Sequence, residues 1–130
     1  MSDHSRDTRA ARVELDHRGI LVLRFKKGVR IDLSMVHETI DARVALFSGR
    51  KLPVLSIMAP DQDFHIEVPI TDNSLLLVDH TLAEAVVASG YLFKVAELHY
   101  HNFPQPFPTG VFETEDEAVE WLLEQQAQAQ

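Results

Sequence analysis

Apolar residues along the chain recur with two different periods, and each change of period marks an element. RVELD and ILVLRF flank Asp16-His17-Arg18-Gly19, a polar turn ending in glycine, which predicts a β-hairpin. Ile20 to Phe25 is nearly unbroken apolar sequence, so this strand should be covered on both faces and lie centrally. From Asp32 the spacing becomes helical. Leu33, Val36, Ile40, Val44 and Phe47 form an apolar stripe that leaves His37, Glu38, Asp41 and Arg43 for solvent, with Asp32 as N-cap and Gly49 as the stop. LPVLSIM reads as a second buried strand, with Pro53 near its start, where a missing N–H does least harm.

Residues 60–81 are irregular. They predict a loop and then a short helix capped by Thr71 or Asp72, with Leu75, Leu76 and Val78 turned inward. LAEAVVAS is small and β-branched and ends at Ser89-Gly90, the mark of another interior strand, followed by the helix YLFKVAELHYHNF. Pro104, Pro106 and Pro108 end that helix and confine the strand PTGVF to a sheet edge or to the few residues after the last proline. Thr114 and Glu117 have capping-box spacing, Glu115 and Asp116 suit the first turn of a helix, and Ala118, Trp121 and Leu122 form its inward face. The expected fold is α/β: a mixed, mainly parallel sheet of about five strands with an N-terminal β-hairpin, flanked by four helices. Residues 1–11 are expected to be a flexible tail, 12–124 a single domain and 125–130 a frayed end.

A chain of 130 residues that is 45% hydrophobic can bury one core, so a second domain is not expected. Cysteine is absent, which removes disulfides and thiolate chemistry together. The opening MSDHSRDTRAAR has no apolar stretch after its charges, and no run is long enough to span a bilayer, so a cytoplasmic location is expected. The net charge of −8 argues against nucleic acid as the main partner. The charge is also uneven: residues 1–51 carry +4 and residues 52–130 carry −12, with Lys94 the one base of the second part. The two parts can neutralise each other across the sheet, or steer a basic partner or a second copy of the chain.

At this point the residues resemble a known group. GILVLRF, a helix ending near SGR, KLPVLSIM, EAVVAS with its helix, and the closing PTGVFETEDEAVEWLL are similar to bacterial SpoIIAA-like proteins of the STAS superfamily, from Arg12 to Leu123. The resemblance implies a non-enzymatic regulatory or protein-interaction module with no cofactor. In the anti-sigma antagonists of that superfamily, a serine in an Asp-Ser-Ser-Gly type motif begins the helix after the strand matching LPVLSIM and is phosphorylated by a partner kinase. Here that region reads APDQDFHIEVPITDNSLL, without the tetrad. Ser74 is the nearest candidate phosphoacceptor; its other reading is closure of a first helical turn.

Direct chemistry finds little support. His99 and His101 would point about 200° apart on a helix and cannot share an ion there, so no metal site is expected, and His99 reads as a partly buried, hydrogen-bonded side chain. Asp79-His80 has no accompanying nucleophile or oxyanion loop, and no phosphate-cradling glycine pattern occurs. Lys26-Lys27-Gly28-Val29-Arg30 reads as a solvated turn more readily than as an anion site. The better lead is apolar. If Leu92, Val95, Ala96, His99 and Phe103 face the sheet, then Phe93 and Tyr100 share another face, with Phe107 just beyond. Phe93, Tyr100, Phe103 and Phe107 are therefore the expected partner or ligand surface. It would serve a homodimer, a regulatory protein partner or, in the alternative reading, the pocket of a carrier or sensor of a lipid-like apolar molecule.

Overall fold

In the computed structural model, which describes residues 4–47 and 49–129, twelve elements follow one another. They are β1 (Ser5–Asp7), β2 (Ala11–Leu15), β3 (Leu21–Phe25), β4 (Arg30–Ile31), α1 (Leu33–Leu46), β5 (Leu52–Ile57), β6 (Asp63–Phe64), α2 (Ser74–Leu77), β7 (Thr81–Val87), α3 (Tyr91–Asn102), β8 (Thr109–Phe112) and α4 (Glu115–Gln128). Six strands form one sheet in the order β1-β2-β3-β5-β7-β8. The first three pair antiparallel, while β3, β5, β7 and β8 run parallel. A two-residue parallel ladder, β4 with β6, stands apart.

The hairpin between β2 and β3 is held locally. The Asp16 carboxylate accepts the amides of Arg18 and Ile20 at 2.8 and 3.1 Å, and Gly19 takes a φ of 82° that suits a residue without Cβ. β3, β5 and β7 then lie side by side with helices on both faces, which is why their sequences are apolar at nearly every position. On one face, Ile20, Val22, Leu55, Ala83, Ala85 and Val87 meet Ala118 and Leu122 of α4. On the other, Leu21, Leu23, Leu52 and Val54 meet Ala42 and Leu46 of α1.

Several expectations need correction. The sheet has six strands rather than about five, because residues 5–7, expected in a flexible tail, pair with Arg12 to Glu14 as an edge strand, and Ala10 is fully buried behind it. Residues 1–3 lie outside the described part. At the other end, 125–128 continue α4 rather than fray; residue 130 is outside the described part.

Helix α1 is rotated from its expected face. Asp32 does cap it, accepting the Met35 amide at 2.9 Å. The buried positions, however, are Met35, Thr39, Ile40, Ala42, Arg43 and Leu46, and Val44 is 50% exposed. Arg43 points inward because a carboxylate waits for it on β7. Ser48, part of the segment expected to end this helix, lies outside the described residues.

Short α2 also differs, because one turn cannot hide a full face: Leu75 and Leu76 point outward at 86% and 51% exposure. The Thr114 hydroxyl accepts the Glu117 amide at 3.3 Å as expected. The Glu117 carboxylate instead accepts the Thr114 hydroxyl at 2.8 Å, so only half of a capping box forms.

Candidate functional site

β7 is a central strand, and its side chains alternate between faces. Ala83, Ala85 and Val87 go to α4, so Glu84 goes to the α1 side, where it is 6% exposed. A carboxylate that deep is costly unless a counter-charge and hydrogen bonds accompany it. Arg43 provides the charge: its Nη2 lies 3.0 Å from Glu84 Oε1 and donates to Thr81 Oγ1 at 2.8 Å. Ser56 of neighbouring β5 donates its hydroxyl to Glu84 Oε2 at 3.2 Å.

Satisfaction is incomplete. Arg43 Nε has no hydrogen-bond partner, and Glu84 Oε1, though in ionic contact with the guanidinium, has no hydrogen bond of good geometry. Both residues line a cavity of about 140 Å³. Buried Leu23, Thr39, Ile40 and Ser56 make its deep end with them, and half-buried Val68, Leu77, His99, Tyr100, Gln105 and Phe107 make its rim.

Two residues of α3 shape that rim. His99 Nδ1 lies 2.8 Å from the Pro69 carbonyl, which can only accept, so Nδ1 carries the proton. This bond ties α3 to the segment between β6 and α2. Tyr100 packs edge-on to the His99 ring at 4.9 Å. Burial pushes the Tyr100 phenol well above its ordinary pKa, and the Glu84 carboxylate adds to the effect while Arg43 opposes it. The hydroxyl therefore stays protonated and available to donate.

Of the residues singled out from sequence, Tyr100 and Phe107 line the cavity. Phe103 is half-buried against His99, with ring centroids 5.2 Å apart, and Phe93 is half-buried away from the cavity lining. Ser74 is buried as the first residue of α2, its amide donating to Asp72 Oδ1 at 2.9 Å. Asp79 is exposed while adjacent His80 is buried, so the two do not face one space. The basic turn is partly engaged: Lys26 bonds the Thr8 carbonyl and pairs with Asp7. Among the described residues no group of three or more His, Asp or Glu side chains could hold a metal ion, and no helix is long and apolar enough to cross a membrane.

The family model described as Domain of unknown function (DUF7793) matches residues 13–126. The chain belongs to this family. Every residue lining the cavity falls within the matched span, and β1 lies outside it. No curated protein and no solved structure matches the chain.

The residues missed from sequence are Arg43, Ser56 and Glu84 at the deep end and a set of outward aliphatics near the rim. The lone acid inside LAEAVVAS was a usable signal, because a charge within a strand covered on both faces demands a partner. The aliphatics are Ile66, Ile70, Leu75 and Leu76, exposed by 51–86% and interleaved with the cavity residues Val68, Asn73 and Leu77.

Proposed function

We propose that this DUF7793 domain is a non-enzymatic, STAS-like regulatory module that associates with protein, a second copy of itself included, and reads a small molecule held in the Arg43–Glu84 cavity. One observation carries the reading. The segment 66–77 lines the cavity with Val68, Asn73 and Leu77 while exposing Ile66, Ile70, Leu75 and Leu76, so one stretch of chain serves both a ligand and a contact surface. A catalytic reading has less support, since the Glu84 carboxylate is tied to Arg43 and Ser56 rather than poised beside a nucleophile and an oxyanion site. The lipid-carrier alternative is weakened by size: a cavity of about 140 Å³ is well below the roughly 300–1,000 Å³ of sites that enclose drug-sized ligands.

Sedimentation velocity over a concentration series tests the association. The wild-type chain is expected to self-associate, and a variant carrying Ile66→Ser, Ile70→Ser and Leu75→Ser to remain a folded monomer. Monomer at every loading of the wild type would remove self-association from the proposal.

A further inference from the structure

We infer that the cavity takes a small neutral ring compound bearing a hydrogen-bond acceptor, an aryl ketone in the simplest case, whose oxygen accepts the Tyr100 hydroxyl while the ring lies among the apolar lining. This rests on the reading of the cavity as a binding site and adds the chemistry of what binds.

Seven polar side chains line the cavity besides Tyr100, and each makes at least one hydrogen bond within the protein. The Tyr100 hydroxyl makes none among the described residues, and it is not one of the sealed, unpartnered atoms such as Arg43 Nε. Among those residues it is therefore the one polar lining side chain whose hydrogen-bonding capacity is wholly unused, and it stays reachable. The Glu84 carboxylate and the Arg43 guanidinium both act on the phenol, which turns its oxygen toward the deep end and away from the outer side of α3. A tyrosine hydroxyl in such surroundings ordinarily has a partner, so an acceptor brought to it makes a bond that the protein alone does not supply.

Charge and size narrow the class. Arg43 and Glu84 of the lining are paired at 3.0 Å, so an ion entering the cavity would shed its hydration without gaining a free counter-charge from either. A neutral molecule avoids that cost. An apolar cavity of about 150 Å³ engineered in another protein holds benzene, so about 140 Å³ suits a single ring. Leu23, Phe25, Ile40 and Phe107 offer that ring apolar and aromatic contacts. A carbonyl on the ring then meets the Tyr100 hydroxyl.

The test titrates the full nitrogen-labelled chain with acetophenone, ethylbenzene, benzoate and benzylamine, following backbone amide resonances. Acetophenone is expected to shift the amides of Ile40, Glu84, Tyr100 and Phe107 and to bind about three- to tenfold more tightly than ethylbenzene, which has nearly its shape but no acceptor. In Tyr100→Phe, ethylbenzene affinity is expected to stay within about twofold of wild type, while acetophenone falls to the ethylbenzene level. Acetophenone affinity unchanged in that variant would overturn the assignment to Tyr100. The wild-type comparison stands without the variant: ethylbenzene, benzoate or benzylamine binding at those amides as tightly as acetophenone would overturn the ligand class while leaving the binding-site reading intact. If none of the four compounds moves those amides, the binding-site reading falls as well.

Discussion

Strand β7 serves two different interiors. Its Ala83, Ala85 and Val87 join Ile20, Val22, Leu55, Ala118 and Leu122 under α4 in an interior built from apolar side chains alone. One residue along, Glu84 opens onto Arg43, Ser56 and a cavity beneath α1 and α3. The same three central strands supply both, so the difference comes from side-chain alternation and not from backbone. Small residues let α4 close down on one face, whereas on the other the apolar packing under α1 adjoins a buried charged pair and a cavity. Both faces bury apolar cores, and the α1 face gives up part of its packing to a cavity.

The sharpest way to break this contrast is Arg43→Met. It strands the Glu84 carboxylate without its counter-charge and should cost about 3–5 kcal/mol in urea unfolding, whereas adding Glu84→Leu should recover most of that loss. On the other face Leu122→Ala should cost about 2–5 kcal/mol, from lost burial plus the hole it leaves. No single second substitution should rescue that variant. Absence of rescue in the charged pair, measured by the same double-mutant cycle, would contradict the account of the α1 face.

A smaller effect follows from pH. His80 is 5% exposed beside the Phe47 ring, and its imidazole is held below the ordinary value of 6.5, chiefly by burial and then by the Arg43 guanidinium, with Glu84 and Asp79 opposing. The fold therefore refuses a proton that the unfolded chain accepts. Its contribution is fully present above pH 6.5 and is lost as pH falls through 6.5 toward the lower folded value. Unfolding free energies compared at about pH 7.5 and about pH 5.5 should decline in the wild type and decline less in His80→Phe. Asp32 does not interfere, because the backbone bond from Met35 holds its carboxyl below 3.8, outside this window. Equal declines in the two proteins would remove His80 from the explanation.

The smallest expected effect lies on α1. Val44→Gln should change stability by no more than about 0.5 kcal/mol, since Val44 is half exposed, whereas an inward Val44 would make that substitution expensive.

Val44 also shows where sequence reading stopped. The hairpin, the central apolar strands, the Asp32 cap and the edge position of the proline-led strand each follow from rules that act within a few residues, and each is present. The face of α1 does not follow from such rules. Periodicity favoured Leu33, Val36 and Val44, but the pairing of Arg43 with Glu84, 41 positions away along the chain, chose another arc. Edge strand β1 was similarly hidden, because three polar residues become a strand only once β2 offers them its free side. Tyr100 and Phe107 stood out as aromatics. The polar groups they surround could be found only by asking what a buried glutamate pairs with.

The chain's one tryptophan, Trp121, packs against Phe112 with ring centroids 5.5 Å apart and planes tilted by 46°, and belongs to the α4 face. Its emission will therefore follow denaturation while staying nearly blind to whatever fills the chamber across the sheet. Tyr100, one of two tyrosines, lines that chamber, so near-ultraviolet circular dichroism from its ring would report a molecule bound there.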